Sequence, residues 1–172
     1  MKINKSKLIF VKEREYDYEE LIDSYIVYKF LINKLEINKE PEEVVILFNL
    51  DNKKKIINCC EVARGVLDSC LVSPRDVYKR ALVANARYIV IAHNHPSGNM
   101  KPSIQDIEIT KQLKKAGDIL DIKLLDHVIV GEKDYYSFFE HMPEIISKID
   151  LSYLNDSNDM KIKKKNKEER SL

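Results

Sequence analysis

His93 and His95 stand two residues apart at the end of the apolar run RYIVIA. Residues i and i+2 of an extended segment share a face, so both imidazoles can aim at one point. A third ligand must come from elsewhere in the chain. Asp106 qualifies: it falls in the first turn of the helix expected after the loop HNHPSGNMKPS, which can fold that helix start back over the strand end. Two histidines and one carboxylate leave a tetrahedral metal with one open position, the arrangement of a catalytic rather than a structural zinc. Each residue also has a plainer reading. Isolated histidines are ordinary surface or core residues, and Ser103-x-x-Asp106 fits a helix capping box in which neither side chain has a catalytic duty.

The elements that must position these residues follow from hydrophobic period and turn chemistry. Residues 6–12 read as a short strand, and apolar positions recurring at three and four over 18–35 read as an amphipathic helix ended before Pro41. EVVILFNLD, residues 43–51, suits a strand buried on both faces; the turn from Asp51-Asn52 leads to a hairpin partner over 55–63. After Gly65 a surface crossing leads to Ser73-Pro74-Arg75-Asp76, a helix start with Ser as N-cap, Pro at N1 and an acid at N3; Val77, Leu82, Val83 and Ala86 are its apolar positions. A strand over 87–92 runs into the histidine loop. The next helix is expected from Ser103 to near Gly117, with Ile107, Thr110 and Leu113 along it and Gly117 as the C′ glycine. Residues 121–131 read as a strand, and DYYSFFEHM as a short helix. The order predicts a mixed α/β sheet flanked by helices, with the histidines at a strand's C-terminal end, where open α/β sheets bind ligands.

The chain has 172 residues, 44% hydrophobic and 33% charged, which fits one domain with appendages at 1–39 and 151–172 around a body at 40–150. A body of that size builds its core without a metal staple, which frees any metal for catalysis. The last twelve residues hold six basic and two acidic side chains, leaving 23 basic against 26 acidic, net −3, in residues 1–160. Nucleic-acid affinity rests on phosphate neutralisation, so it is expected only weakly and only through the Lys-rich tail, which reads as disordered. Cys59, Cys60 and Cys70 form no C-x-x-C pair; Cys59 and Cys60 read as small buried strand residues. No signal peptide or membrane span is visible, and the cytoplasm is expected.

The full string His93-x-His95-x(7)-Ser103-x-x-Asp106 is similar to the JAMM (MPN-type) metallopeptidase signature, and its filling HNHPSGNMKPSIQD resembles the RadC branch of that family. The resemblance extends from about residue 40 to 140 through EEVVILFNLD, SPRDVYKRAL, ANARYIVIAHNHPSG and LLDHVIVG. It implies the JAB/MPN (cytidine deaminase-like) fold and a zinc-dependent hydrolase of peptide, isopeptide or related amide bonds, whose partner is a peptide or protein substrate. It further implies Zn2+ on His93, His95 and Asp106, Glu43 as general acid/base, and Ser103 as support for the oxyanion. Glu42 adjoins Glu43 and Glu61 lies on the partner strand, and both stay open as alternatives; a one-residue slip turns a strand side chain to the other face. His127, in LLDHVIVG, is expected to be a hydrogen-bonded core histidine near the site and not a ligand.

Full-length RadC proteins carry an N-terminal helix-hairpin-helix module for which the first 40 residues here are too short, so a DNA-repair role is not expected to carry over with the name. The competing class is a non-catalytic protein-binding or repair-associated accessory domain, and the intact ligand set favours the enzyme. HNH nucleases spread their residues over a ββα unit, metallo-β-lactamases need H-x-H-x-D-H, and zinc deaminases need H-x-E with P-C-x-x-C; these fail on spacing.

Overall fold

The computed structural model describes residues 11–16, 23–65 and 72–146. The strand expected at 6–12, the surface crossing after Gly65, Cys70 and the Lys-rich tail lie wholly or mainly outside the described residues.

Five strands form one mixed sheet in the order β2-β1-β3-β4-β5. β1 (Glu43–Leu50) turns at Asp51 into β2 (Ile56–Gly65), its antiparallel partner and an edge of the sheet. The Asp51 carboxylate makes that turn by accepting from the backbone N–H groups of Lys53 and Lys55. β1 also pairs antiparallel with β3 (Tyr88–Asn94), which runs parallel to β4 (Lys123–Val130); β5 (Tyr135–Ser137) closes the other edge. β1 is buried along almost its whole length because helices cover both faces, as its unbroken apolar run requires.

On one face lie α2 (Pro74–Val83) and α3 (Ile104–Leu120), packing Val77, Ala81, Ile109 and Leu113 on Val45, Leu47, Ile91 and Ile129. On the other lies α1 (Ser24–Asn33), packing Val27, Phe30 and Leu31 on Val44, Ile46, Phe48 and Val90. Ser73 caps α2 and Pro74 opens it, as the residue types dictate. Leu82, expected on the buried stripe, is instead 55% exposed; the face that packs is Val77, Tyr78 and Ala81.

Three other expectations are corrected. The helix expected from residue 18 begins at Ser24, because Asp23 is extended and accepts from the backbone N–H of Ile26 as its N-cap. Gly117 does not end α3: a Cβ there would lie 2.3 Å from the Ile122 carbonyl and 2.4 Å from the Tyr78 hydroxyl, so this glycine serves close packing. The left-handed cap falls to Asp121 (φ 57°). DYYSFFEHM is not one helix but β5 followed by the single turn α4 (Phe138–His141).

A bulge decides what β4 presents. The β3–β4 register shifts after Ile89↔Leu124 to Val90↔Asp126 and Ile91↔His127, which leaves Leu125 without a partner. Asp126 therefore faces α1 and His127 faces α3. The buried Asp126 carboxylate accepts from the Ser24 and Ser137 hydroxyls (2.7 Å each) and from the backbone N–H groups of His127 and Phe139.

Burial pushes the Asp126 carboxyl up from 3.8 to about 6, against those four bonds. The folded chain thus prefers the neutral acid. This contribution is complete below pH ~4 and is lost as pH rises through ~6, a change of about 3 kcal/mol. Asp126→Asn keeps the acceptor for both backbone donors and turns its NH2 toward the two serines. It is expected to remove this pH dependence and to be at least as stable as wild type at neutral pH. Urea denaturation at several pH values checks this; parallel pH profiles for the two proteins would contradict it.

Candidate metal centre

The site forms where β3 ends. His93, the next-to-last strand residue, and His95, just beyond it, point the same way, with ring centroids 4.8 Å apart. Between them Asn94 turns aside and is fully buried. Its Oδ1 accepts from the Val44 backbone N–H (2.7 Å) and its Nδ2 donates to the Glu42 carbonyl (3.0 Å). This side chain extends the β1–β3 ladder beyond Val45↔His93 and fixes the start of β1, where Glu43 sits.

After His95 the chain turns through Pro96 and Ser97 to Gly98 in the left-handed region (φ 73°), closed by the Gly98 N–H to the His95 carbonyl. This turn brings the Asn99 carbonyl to 2.5 Å from His95 Nδ1. The loop then delivers Ser103 as the N-cap of α3 with Asp106 at N3, a complete capping box: the Asp106 N–H donates to Ser103 Oγ, and the Ser103 N–H donates back to Asp106 Oδ2 (2.7 Å). The Ser103 hydroxyl donates to the same carboxylate oxygen at 2.6 Å. The capping box is thus complete, and the same geometry aims the other carboxylate oxygen into the site.

His93, His95 and Asp106 offer ligand atoms that all lie within 4.8 Å of one another. The two Nε2 atoms are 3.0 Å apart; Asp106 Oδ1 lies 3.2 Å from His93 Nε2 and Oδ2 lies 3.5 Å from His95 Nε2. Zinc bonds of about 2.0–2.1 Å in a tetrahedron require donor separations of about 3.3 Å. The His93–His95 separation and the His93–Oδ1 separation lie close to that value, while the 3.5 Å contact of His95 is to the second carboxylate oxygen, the one that also caps Ser103.

Hydrogen bonding sets the chemical state of these nitrogens. The Asn99 carbonyl can only accept, so Nδ1 of His95 holds the proton and its Nε2 holds a lone pair. His93 Nδ1 lies 2.9 Å from His127 Nε2, His127 Nδ1 lies 2.6 Å from Thr110 Oγ1, and the Thr110 hydroxyl donates to the Asp106 carbonyl. That carbonyl cannot donate, so the hydroxyl proton points at it. Thr110 Oγ1 then accepts from His127 Nδ1–H, and His127 Nε2 accepts from His93 Nδ1–H. His93 Nε2 is left with its lone pair toward His95.

Two lone pairs and a carboxylate converge in a half-dry pocket, a set that only a cation satisfies. Burial alone would raise Asp106, but in the metal-free site a proton taken up on His93 or His95 Nε2 bonds the carboxylate, and together with the Ser103 hydroxyl this outweighs burial and holds the carboxyl far below the usual range. Burial alone would lower His95, yet the Asp106 carboxylate and the Asn99 carbonyl outweigh it and raise its pKa.

Glu43 stands beside the triad, partly buried, with Oε1 3.8 Å from His93 Nε2. The alternatives lie elsewhere. Glu42 is exposed and its carbonyl is held by Asn94, while Glu61 makes a two-pronged pair with Arg64, itself bonded to Glu40. Cys59 and Cys60, expected to be buried, are only partly so because β2 is an edge strand; burial pushes the Cys59 thiol up to about 11, away from nucleophile chemistry. Sequence reading missed Asn94 and the link through Thr110. The signal for Thr110 was its place four residues after Asp106, on the same helix face.

The family described as RadC-like JAB domain matches residues 22–143, which contain every residue of the site. The chain is 43% identical over 114 residues to a UPF0758 protein of Clostridium perfringens, covering 66% of this chain and 49% of that protein. It is 44% identical over 104 residues to a UPF0758 protein of Chlorobaculum parvum, covering 60% and 46%. With the UPF0758 protein BamMC406_2419 of Burkholderia ambifaria it shares 46% over 105 residues, covering 61% and 41%. The chain spans about half the length of the curated relatives it matches. Among the described residues no helix is long and apolar enough to cross a membrane.

Proposed function

The chain belongs to the RadC-like JAB domain family, and from that premise and the donor set at the end of β3 we propose that it is a zinc-dependent hydrolase of peptide, isopeptide or related amide bonds. One observation carries this reading: two imidazoles and one carboxylate converge within metal-binding distance of one another, and among the described residues no fourth protein donor joins them. The chemistry a zinc ion supplies in such a site is Lewis acidity, which polarises a carbonyl and lowers the pKa of water at the open position toward about 7.

The protein's own residues then divide the remaining work. His93 and Asp106 are buried and hold the back of the site, while His95 and Glu43 form its more open side, where a substrate enters. Glu43, with Oε1 3.8 Å from His93 Nε2, would take a proton from the attacking water and pass it to the leaving nitrogen as the C–N bond breaks. Asn94 fixes the backbone on either side of Glu43 and so the point from which its carboxylate reaches the triad. Ser103 holds its hydroxyl proton on Asp106; turning that proton toward a developing oxyanion would exchange one anionic acceptor for another.

The test is release of new α-amines from a pool of unstructured peptides by zinc-loaded protein. Activity is expected to vanish with a chelator and to return with zinc. Peptides left intact by fully loaded protein, alongside tight unhydrolysed capture of some of them, would favour the accessory-domain alternative.

A further inference from the structure

His127 is fully buried beside the site, the hydrogen-bonded core histidine that its segment leads one to expect. The unpartnered Leu125 turns it toward α3 and the donor set. Its ring stacks on Phe138 with centroids 5.0 Å apart and planes 9° from parallel, so its orientation is fixed. It cannot be a ligand, because its Nε2 faces His93 Nδ1 on the side of that ring away from the site.

The bonds around His127 run from one ligand residue to another: Asp106 carbonyl, Thr110 hydroxyl, His127 and then His93. A histidine present only for packing needs any two partners. Here each step transmits the direction of a single proton, beginning at a carbonyl that can only accept. We infer that His127, held by Thr110, is a positioning residue that sets His93 in the Nδ1–H tautomer and thereby aims the Nε2 lone pair at the site.

Partners that fix a ligand's tautomer commonly contribute about 10–100-fold in metal affinity. The inference concerns the tautomer of the metal-free protein; its consequence for affinity rests on the zinc reading above.

The experiment therefore has two arms on the full chain. In the first, two-bond 1H–15N NMR spectra of zinc-free protein at mildly alkaline pH assign the imidazole tautomers. His93 and His127 are both expected as Nδ1–H, and His127→Leu is expected to release His93 into a mixture of tautomers. In the second, zinc affinity is measured by competition with a chromophoric chelator. His127→Leu is expected to lose about 10–100-fold, measured at a temperature where melting in chelator shows both proteins to be folded. His127→Gln, whose Oε1 can accept where Nε2 did, is expected to recover most of the loss. His93 found as Nε2–H in the wild-type protein would overturn the inference, as would a leucine variant that binds zinc as tightly as wild type. A wild-type chain that binds no zinc would overturn the metal reading alone, and the tautomer arm would still decide this one.

Discussion

Replacing His95 by alanine is expected to reduce zinc affinity by roughly 10²–10³-fold, and replacing His93 as well to abolish stoichiometric binding, because each ligand of a tetrahedral site contributes a few kcal/mol of the total. The folded chain should survive both changes. Its two apolar layers, α2 and α3 on one side and α1 on the other, are continuous without the site. The costs differ between the two histidines. His95 is partly exposed, and apart from its contacts within the triad it bonds only the loop carbonyl of Asn99, so its loss costs the fold little. His93 is buried, and its removal opens a cavity and leaves His127 Nε2 without a donor, which costs about 2–4 kcal/mol of stability. His95→Ala is therefore the cleaner variant. Elemental analysis with far-UV circular dichroism checks the result; one zinc per chain retained by the folded double variant would remove these histidines from the ligand set.

Glu43→Gln is expected to keep zinc and to lose about 10²–10⁴-fold in hydrolysis, the usual effect of removing a general base. The amide is isosteric and stands outside the triad, so the metal should be bound as before. Glu42→Gln and Glu61→Gln serve as controls expected to stay active, since one side chain is exposed and the other is committed to Arg64. Turnover measured on the same peptide pool decides the matter: inactive Glu42→Gln or Glu61→Gln beside an active Glu43→Gln would show that the proton carrier lies at another strand position.

Local geometry made part of this site readable in the sequence. Two histidines at i and i+2 of a strand share a face wherever that strand sits, and Asp106 at N3 follows from Ser103 as N-cap; both placements depend on fewer than five consecutive residues. The hairpin turn at Asp51 and the start of α2 at Ser73 are legible for the same reason. What escaped depends on contacts between distant segments. His127 is expected near the site and hydrogen-bonded, but its partners are not legible: strict alternation from Leu124 would turn it toward α1, and only the unpartnered Leu125 reverses it, a register choice made by pairing with β3. Asn94 occupies an unspecified place in the histidine string, and its bonds to residues 42–44 exist only because β1 lies beside β3. Gly117 matches a helix stop by type, but the nearby Tyr78 hydroxyl and Ile122 carbonyl set its role.

X-ray absorption at the zinc edge of the loaded chain tests the centre most directly. The expected spectrum has one zinc per chain, four nitrogen or oxygen scatterers at about 2.0–2.1 Å, and the outer-shell signature of two imidazoles. A sulfur scatterer at about 2.3 Å, which would bring in a cysteine, or a third imidazole, which would bring in a histidine such as His127, would contradict the assignment of His93, His95 and Asp106 with one open position.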